Sequence, residues 1–196
     1  MGISFGLNGI LALFDHYGIY DDWLSSNPWI YRVGLWLFEV VAPNSLLVSF
    51  VVRYAIWPKN LKGGVSTENL KSFESLMQHN ANLLMSLIEV GLLGKIPVRL
   101  TDIPIGTFYQ ISYVVMMWSL SGYWYPEGGP QFLYFFFDTT LGLTTTISLI
   151  VLLLVSIIFN VLLAFIGYIL SYLDDNILLH AALVLLVFSS MARFRD

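Results

Sequence analysis

The sequence predicts an all-α polytopic membrane protein, a bundle of about five transmembrane helices plus a short N-terminal apolar segment. Hydrophobic residues make up 57% of the 196 residues and charged residues only 11%, whereas soluble domains carry about 25% charged residues. Five apolar runs are long enough, or nearly so, to cross a hydrocarbon core of about 30 Å. The longest polar connection is residues 57–71. We therefore expect a single integral membrane domain over residues 1–196, with its function in or at the bilayer.

The N-terminal apolar segment, residues 2–14, spans only about 20 Å as a helix. It has too few residues for a full span. We expect it to lie in the interface, to pack as a re-entrant piece, or to be the end of a span that starts before Met1. The residues that follow mix acidic side chains with tyrosine and tryptophan, as expected at a membrane surface.

The five predicted spans cover residues 31–56, 72–94, 104–125, 139–173 and 176–192. The first contains Glu39, an ionisable group at depth, and Pro43, which predicts a kink. The fourth begins with two threonines directly after Asp138, a pattern that favours helix capping over catalysis. Ser156 and Asn160 within it, one turn apart, indicate a polar contact between helices. The fifth is short and is bounded by charged residues on both sides.

Lysine and arginine predict the orientation. With alternating spans, six of the nine basic residues lie on the side that holds loop 57–71 and the C-terminal tail, and three lie on the other. Because basic residues favour the cytosolic side, this count predicts a cytosolic C-terminus.

Several function classes are excluded by composition. The chain has no cysteine, which removes disulfides, thiolate nucleophiles and cysteine metal sites. The net charge is −4, and the sequence has no cluster of basic residues that would bind nucleic acid. Glycine-rich phosphate loops and zinc-ligand spacings are also missing from the sequence, so we expect neither cofactor nor metal.

The second predicted span, SFESLMQHNANLLMSLIEVGLLG, carries a polar stripe. On a wheel of 100° per residue, seven polar side chains share about a third of the helix. A stripe of this kind must face other helices or a polar cavity. Asn80 falls outside it, and Met77, Leu84, Leu87 and Ile88 are predicted to face lipid. The stripe consists of Ser72, Ser75, Gln78, His79, Asn82, Ser86 and Glu89.

The residues of the stripe allow two interpretations. Polar packing between helices contributes only about 0.6 kcal/mol per pair and suffices for the serines. His79 titrates near neutrality and a buried Glu89 needs a partner or a proton. These two lie about 15 Å apart along the axis, so chemistry at His79 needs a partner from another helix, for which Glu39 is one option. The residues alone leave function and structure equally open. His180, a lone histidine, is better explained by packing.

Three segments resemble a known family. The sequences MQHNANLLMSLIE, with Pro97 after it, and YVVMMWSLSGYWYP are similar to the core of the androgen-induced-gene family. This family includes the androgen-dependent TFPI-regulating protein and is related to the rolling-stone proteins. His79 and Glu89 match the family histidine and a glutamate ten positions later, and IWP at residues 56–58 resembles its tyrosine–proline. The resemblance covers residues 5–159, approximately.

The resemblance implies a multi-span enzyme that hydrolyses fatty acid esters of hydroxy fatty acids with an intramembrane threonine and a histidine. His79 is then the general base, and Asn82, Ser86, Glu89 and Glu39 are the expected substrate contacts. The family threonine would lie before Met1, so the nucleophile is not identified in this sequence. Ser119 and Leu120 also replace a pair of family histidines.

Two other functions stay open. In the first, the chain is a non-catalytic membrane protein that serves as a subunit or scaffold of a larger membrane complex. In the second, it is a proton-coupled carrier that uses Glu39, His79 and Glu89. The carrier ranks last because five spans give no inverted pair of halves. The expected partners are the lipid bilayer, a fatty acyl ester and a membrane protein complex.

Overall fold

A computed structural model describes residues 2–93, 96–124, 134–173 and 176–194. Every regular element in these ranges is helical, which confirms the all-α prediction. Short 3₁₀ turns precede α6 and α7. Gly94, Tyr125, Asp174, Asp175 and Arg195, which end or flank predicted spans, lie outside the described residues. The helices are α1 Gly2–Tyr17, α2 Asp21–Ser26, α3 Trp29–Lys62, α4 Glu68–Lys71, α5 over residues 73–93, α6 Ile103–Trp124, α7 Leu143–Tyr172 and α8 Ile177–Met191.

Helix α3 is the centre of the bundle. It packs against α1, α5, α6, α7 and α8, and its inward side chains form the main core with residues of α5, α7 and α8. Packing of this kind, with many partners on one helix, fixes the relative positions of the surrounding helices. The fully or nearly fully buried members of this core include Phe38, Leu46, Leu83, Leu87, Phe159, Leu163 and Val184.

Helix α3 extends further than predicted. It passes through a π-helical turn at Val52–Ile56 and continues to Lys62. Pro43 is buried but does not end the helix. The Nδ2 group of Asn44, next to the proline, donates to the carbonyl of Val40 at 2.6 Å.

Helix α1 is longer than its predicted apolar segment and packs along α3. Asn8 Nδ2 donates to the carbonyls of Ser4 and Gly34, at 3.0 and 3.1 Å. A Cβ on Gly34 would lie 2.6 Å from Asn8 Oδ1. The glycine therefore allows the two helices to approach closely.

Helix α5 contains two π-helical turns, Met77–Ala81 and Glu89–Leu93. A π turn holds more residues than an α turn, so the wheel of 100° per residue does not give the directions of all side chains. Leu87, predicted to face lipid, is 2% exposed, and Asn80, outside the predicted stripe, is 6% exposed. The lipid-facing prediction for Leu87 was wrong, because the wheel assumed uniform α-helical turns in a helix that contains π turns.

Helix α7 begins later than predicted. Asp138 caps a 3₁₀ turn at Thr139–Leu141, where its Oδ1 accepts from the backbone and hydroxyl of Thr140 at 2.9 and 2.6 Å. These bonds lower the pKa of the Asp138 carboxyl. Gly142 then adopts φ of 56° and α7 starts at the next residue. The capping role of Asp138 is confirmed.

Two of the described helices, α3 and α7, are long and apolar enough to cross a membrane. In α7 only 28% of the most apolar stretch is buried, and nine apolar or aromatic residues along its 30 residues form one exposed ridge. Helix α8 is apolar but shorter. The ridge consists of Leu143, Ile147, Ile150, Leu154, Ile158, Val161, Phe165, Tyr168 and Tyr172.

Candidate functional site

A cavity of about 560 Å³ lies beside His79 at one end of α5. This volume is within the range of small-molecule sites. Its wall is apolar where α3 contributes Val52 and Ile56, and polar where α5 begins. The remaining lining residues are Lys59, Asn60, Asn69, Leu70, Ser72, Glu74, Ser75, Gln78 and Tyr134.

His79 is held by its backbone and not by its ring. It lies in the first π turn of α5, and its carbonyl accepts a hydrogen bond from Ser49 Oγ of α3. The ring is partly exposed, while its Nδ1 atom is buried and has no hydrogen-bond partner among the described residues. The partner of one ring nitrogen normally fixes the tautomer, and no described residue does so at Nδ1 of His79.

Three other predicted site residues lie deeper along α5. Asn82 donates Nδ2 to the carbonyl of Gln78 at 2.8 Å. Ser86 is fully buried and accepts from Ser45 Oγ at 3.0 Å. Glu89 is partly exposed in the second π turn. None of the three is among the lining residues of the cavity, and their role in binding substrate stays a prediction.

Glu39 pairs with Arg99. The option that Glu39 is the partner of His79 was wrong. Glu39 is 3% exposed, and its Oε1 accepts from the backbone nitrogen and Nε of Arg99, at 2.8 and 3.2 Å. Its Oε2 accepts from Arg99 Nη2 at 3.3 Å. Asp102 binds the same guanidinium group. We call Glu39, Arg99 and Asp102 the charge cluster.

Contacts within the charge cluster shift the pKa values of Arg99 and Asp102, which lie in the loop before α6. Burial acts to raise the pKa of the Asp102 carboxyl, but the hydrogen bond that it accepts from Thr101 and the charge of Arg99 help to lower the pKa below its usual value. The hydrogen bond to Glu39 raises the pKa of Arg99 above its usual range. Both groups therefore remain charged at neutral pH.

A separate set of polar side chains joins α3, α6 and α7. Gln110 Nε2 donates to Asn44 Oδ1 at 3.1 Å and also to Ser156 Oγ. Asn160 Nδ2 donates to the carbonyl of Ser156 at 3.0 Å. The prediction that Ser156 and Asn160 make a polar contact between helices is confirmed, and Gln110 is the partner that the sequence pattern did not indicate.

Polar side chains also cover the C-terminus of α8. Arg53 and Tyr54 donate to carbonyls in its last turn, each at 2.7 Å. Asn80 donates to the carbonyl of Arg193 at 2.8 Å, and the guanidinium of Arg193 lies 4.8 Å from the ring centroid of Trp57. Asn80 is thus a structural residue. The contacts place the end of α3 and the C-terminal tail together, which agrees with the alternation of spans assumed in the prediction.

His180 has the packing role predicted for it. Its Nδ1 lies 2.8 Å from the carbonyl oxygen of Gly91 in α5, and the residue is 4% exposed. Because a carbonyl can only accept, Nδ1 carries the proton.

Within the described ranges no group of three or more histidine, aspartate or glutamate side chains is arranged to hold a metal ion. Comparisons with protein-family profiles, curated protein sequences and solved structures found no match to this chain. The similarity to the androgen-induced-gene family stays a prediction.

Proposed function

We propose that the chain is a five-span membrane protein in which α3, α5, α6, α7 and α8 cross the bilayer. The support comes from α7, whose apolar ridge runs along a helix of about 45 Å. Exposing such a surface to water would be unfavourable by about 25 cal/mol per Å². Polar groups such as Gln110 and Ser156 instead pair between helices, as expected inside a membrane.

The topology can be tested by single-cysteine labelling, because the chain has no cysteine of its own. We expect Val65→Cys and Phe194→Cys, both at exposed positions, to react with an impermeant maleimide from the same side of sealed vesicles. Thr101→Cys should react only from the opposite side. Labelling of all three from one side would contradict the five-span arrangement.

We further propose that the cavity binds a neutral fatty acyl ester and that His79 is the general base in its hydrolysis. The observation that carries this proposal is the partly exposed side chain of His79 in the wall of the cavity. Val52 and Ile56 provide an apolar wall for an acyl chain. Lys59 and Glu74 contribute one charge of each sign, which favours an uncharged ester over an anion.

The catalytic proposal is tested with the purified protein in lipid nanodiscs. The substrates are 4-nitrophenyl octanoate, which is uncharged, and, for comparison, a fatty acid ester of a hydroxy fatty acid, whose free carboxylate makes it an anion. We expect His79→Gln to lower kcat/KM by about 100-fold or more, the usual contribution of a general base. His16→Gln is the matched control, because His16 is exposed and outside the cavity. Equal hydrolysis by the wild type and His79→Gln would contradict the proposal.

A second function is favoured by the same exposed ridge on α7. A ridge of this length also suits contact with helices of another membrane protein, so a non-catalytic subunit is the alternative. Purification in a mild detergent distinguishes the two. A stoichiometric assembly with unrelated subunits, together with no ester hydrolysis, would favour the subunit.

A further inference from the structure

We propose that Ser75 is the nucleophile of this site, an inference that rests on the proposed hydrolase function. Ser75 and His79 lie four residues apart on α5 and both line the cavity. Since both line one cavity, the two side chains lie on the same side of α5 although His79 is within a π turn. Ser75 Oγ makes no hydrogen bond to Nδ1 of His79 in the structure, and catalytic contacts of this kind often tighten only when substrate binds. A hydroxyl and an imidazole that line one cavity can then act as nucleophile and base.

The cavity has two serines, and their hydrogen bonds distinguish them. The hydroxyl of Ser72 is used twice, since it accepts from the backbone nitrogen of Ser75 at 3.2 Å and donates to the carbonyl of Asn69 at 3.0 Å. Ser72 is therefore the N-cap of α5. The hydroxyl of Ser75 makes no hydrogen bond within the described part of the chain. It remains available for proton transfer to His79.

The position of Ser75 in the first turn of α5 also suits a nucleophile. The start of a helix carries a partial positive charge, which stabilises negative charge that develops on a nearby oxygen. The cavity also contains the side-chain amides of Asn60 and Asn69, which can donate to an oxyanion. Among the described residues no third group binds Nδ1 of His79 to orient the base as in a triad, so we describe the site as a dyad.

The reaction proceeds in two balanced steps. Ser75 Oγ attacks the ester carbonyl carbon while its proton passes to a ring nitrogen of His79. The bond between the acyl carbon and the alcohol oxygen breaks, and His79 returns the proton to that oxygen, which leaves an acyl group on Ser75. Water then attacks the acyl carbon and gives a proton to His79, the carboxylic acid leaves, and Ser75 Oγ regains its proton from His79.

The test uses a fluorophosphonate probe, which reacts with activated serines, on the full chain in nanodiscs. We expect peptide mass spectrometry to find the adduct on Ser75. It should be lost in Ser75→Ala and reduced in His79→Gln. Ser119→Ala is the matched control, because Ser119 lies on α6 outside the cavity and donates to the carbonyl of Val115 at 2.8 Å. Ser75→Ala should lower hydrolysis of 4-nitrophenyl octanoate by about 100-fold or more.

A second variant keeps the test decisive if Ser75→Ala does not fold. In Ser75→Cys the new thiol is the only one in the chain, and we expect 4-nitrophenyl octanoate to acylate it as a thioester detected by mass. Hydrolysis that depends on His79 but survives Ser75→Ala would overturn the assignment of Ser75 and leave the hydrolase proposal standing. A wild-type protein with no hydrolysis and no adduct would overturn both.

Discussion

The charge cluster and the His79 cavity both hold ionisable side chains in the helix bundle, but they differ in how these groups are paired. In the charge cluster, both carboxylate oxygens of Glu39 accept hydrogen bonds from Arg99, and Asp102 binds the same guanidinium. At the cavity, the Nδ1 atom of His79 has no partner within the described ranges. A buried polar group normally finds partners, so the unpartnered Nδ1 atom of His79 distinguishes this site from the fully paired charge cluster.

The two histidines of the helix bundle show the same difference. His180 is buried and its Nδ1–H is bound to Gly91, so its tautomer is fixed and its role is structural. His79 is fixed only through its carbonyl, and its ring adjoins a cavity. Burial alone does not distinguish a functional histidine, whereas the pairing of its ring nitrogens does.

The largest effect on stability is expected from breaking the charge cluster. Arg99→Met leaves the carboxylate of Glu39 buried without a cation. Loss of one partner of a buried pair costs about 3–5 kcal/mol, and the 37% exposure of Arg99 reduces this to about 2–3 kcal/mol. Thermal unfolding in detergent micelles measures the change. The double variant Glu39→Gln/Arg99→Met should recover part of the loss, and a double variant less stable than Arg99→Met would contradict the pairing.

A smaller loss is expected where α5 and α8 meet. A Cβ on Gly91 would lie 2.5 Å from Val184 Cγ2, so Gly91→Ala should destabilise the protein by about 1–3 kcal/mol through overpacking. Gly167→Ala is the matched control, because a Cβ there meets no atom within 4 Å and alanine favours the helix by about 0.5–1 kcal/mol. Unchanged unfolding temperature in Gly91→Ala would contradict the close packing.

The comparison of the two histidines predicts a further difference. His180→Ala removes a buried hydrogen bond and leaves the Gly91 carbonyl without it, which costs about 1–3 kcal/mol. His79→Gln removes no hydrogen bond of the ring among the described residues, so we expect a change within about 0.5 kcal/mol. Chemical denaturation of both variants measures this. A larger loss in His79→Gln than in His180→Ala would show that His79 is structural.

The smallest expected effect is a dependence of stability on acid. The pKa of Asp102 is lowered in the folded protein, so its ionised form contributes stability that is fully present above the unfolded pKa. This contribution is lost as the pH falls through the lower, folded pKa. We expect the wild type to lose stability below about pH 4, and Asp102→Asn to lose less over that range. The same acid dependence in both proteins would contradict the role of Asp102.

The fold was largely predictable because its signals are local. The predicted spans 104–125 and 176–192 lie close to the observed helices Ile103–Trp124 and Ile177–Met191, since length and hydropathy define them. Asn176 is the N-cap of α8, and its Oδ1 accepts hydrogen bonds from the backbone nitrogens of Leu178 and Leu179, at 3.2 and 3.3 Å. The residue type at the cap therefore indicates, from the sequence alone, where the helix begins.

The candidate site was only partly predictable because it depends on contacts between distant residues. The polar stripe indicated His79 and included Ser75, but the hydrogen bonds that separate Ser75 from Ser72 required coordinates. The bond between Glu39 and Arg99 joins residues 60 positions apart, and no local pattern connects them. The π turns of α5 are likewise invisible to a wheel with a fixed angle.

The availability of His79 is tested most directly by histidine modification in the folded protein. Diethyl pyrocarbonate acylates unprotonated imidazole nitrogens, and peptide mass spectrometry reports the rate at each histidine in nanodiscs. We predict that the exposed His16 and the cavity residue His79 are modified, that His180 is modified far more slowly, and that octanoate esters protect His79 alone. An unreactive His79, or a His180 that reacts as quickly, would contradict the account.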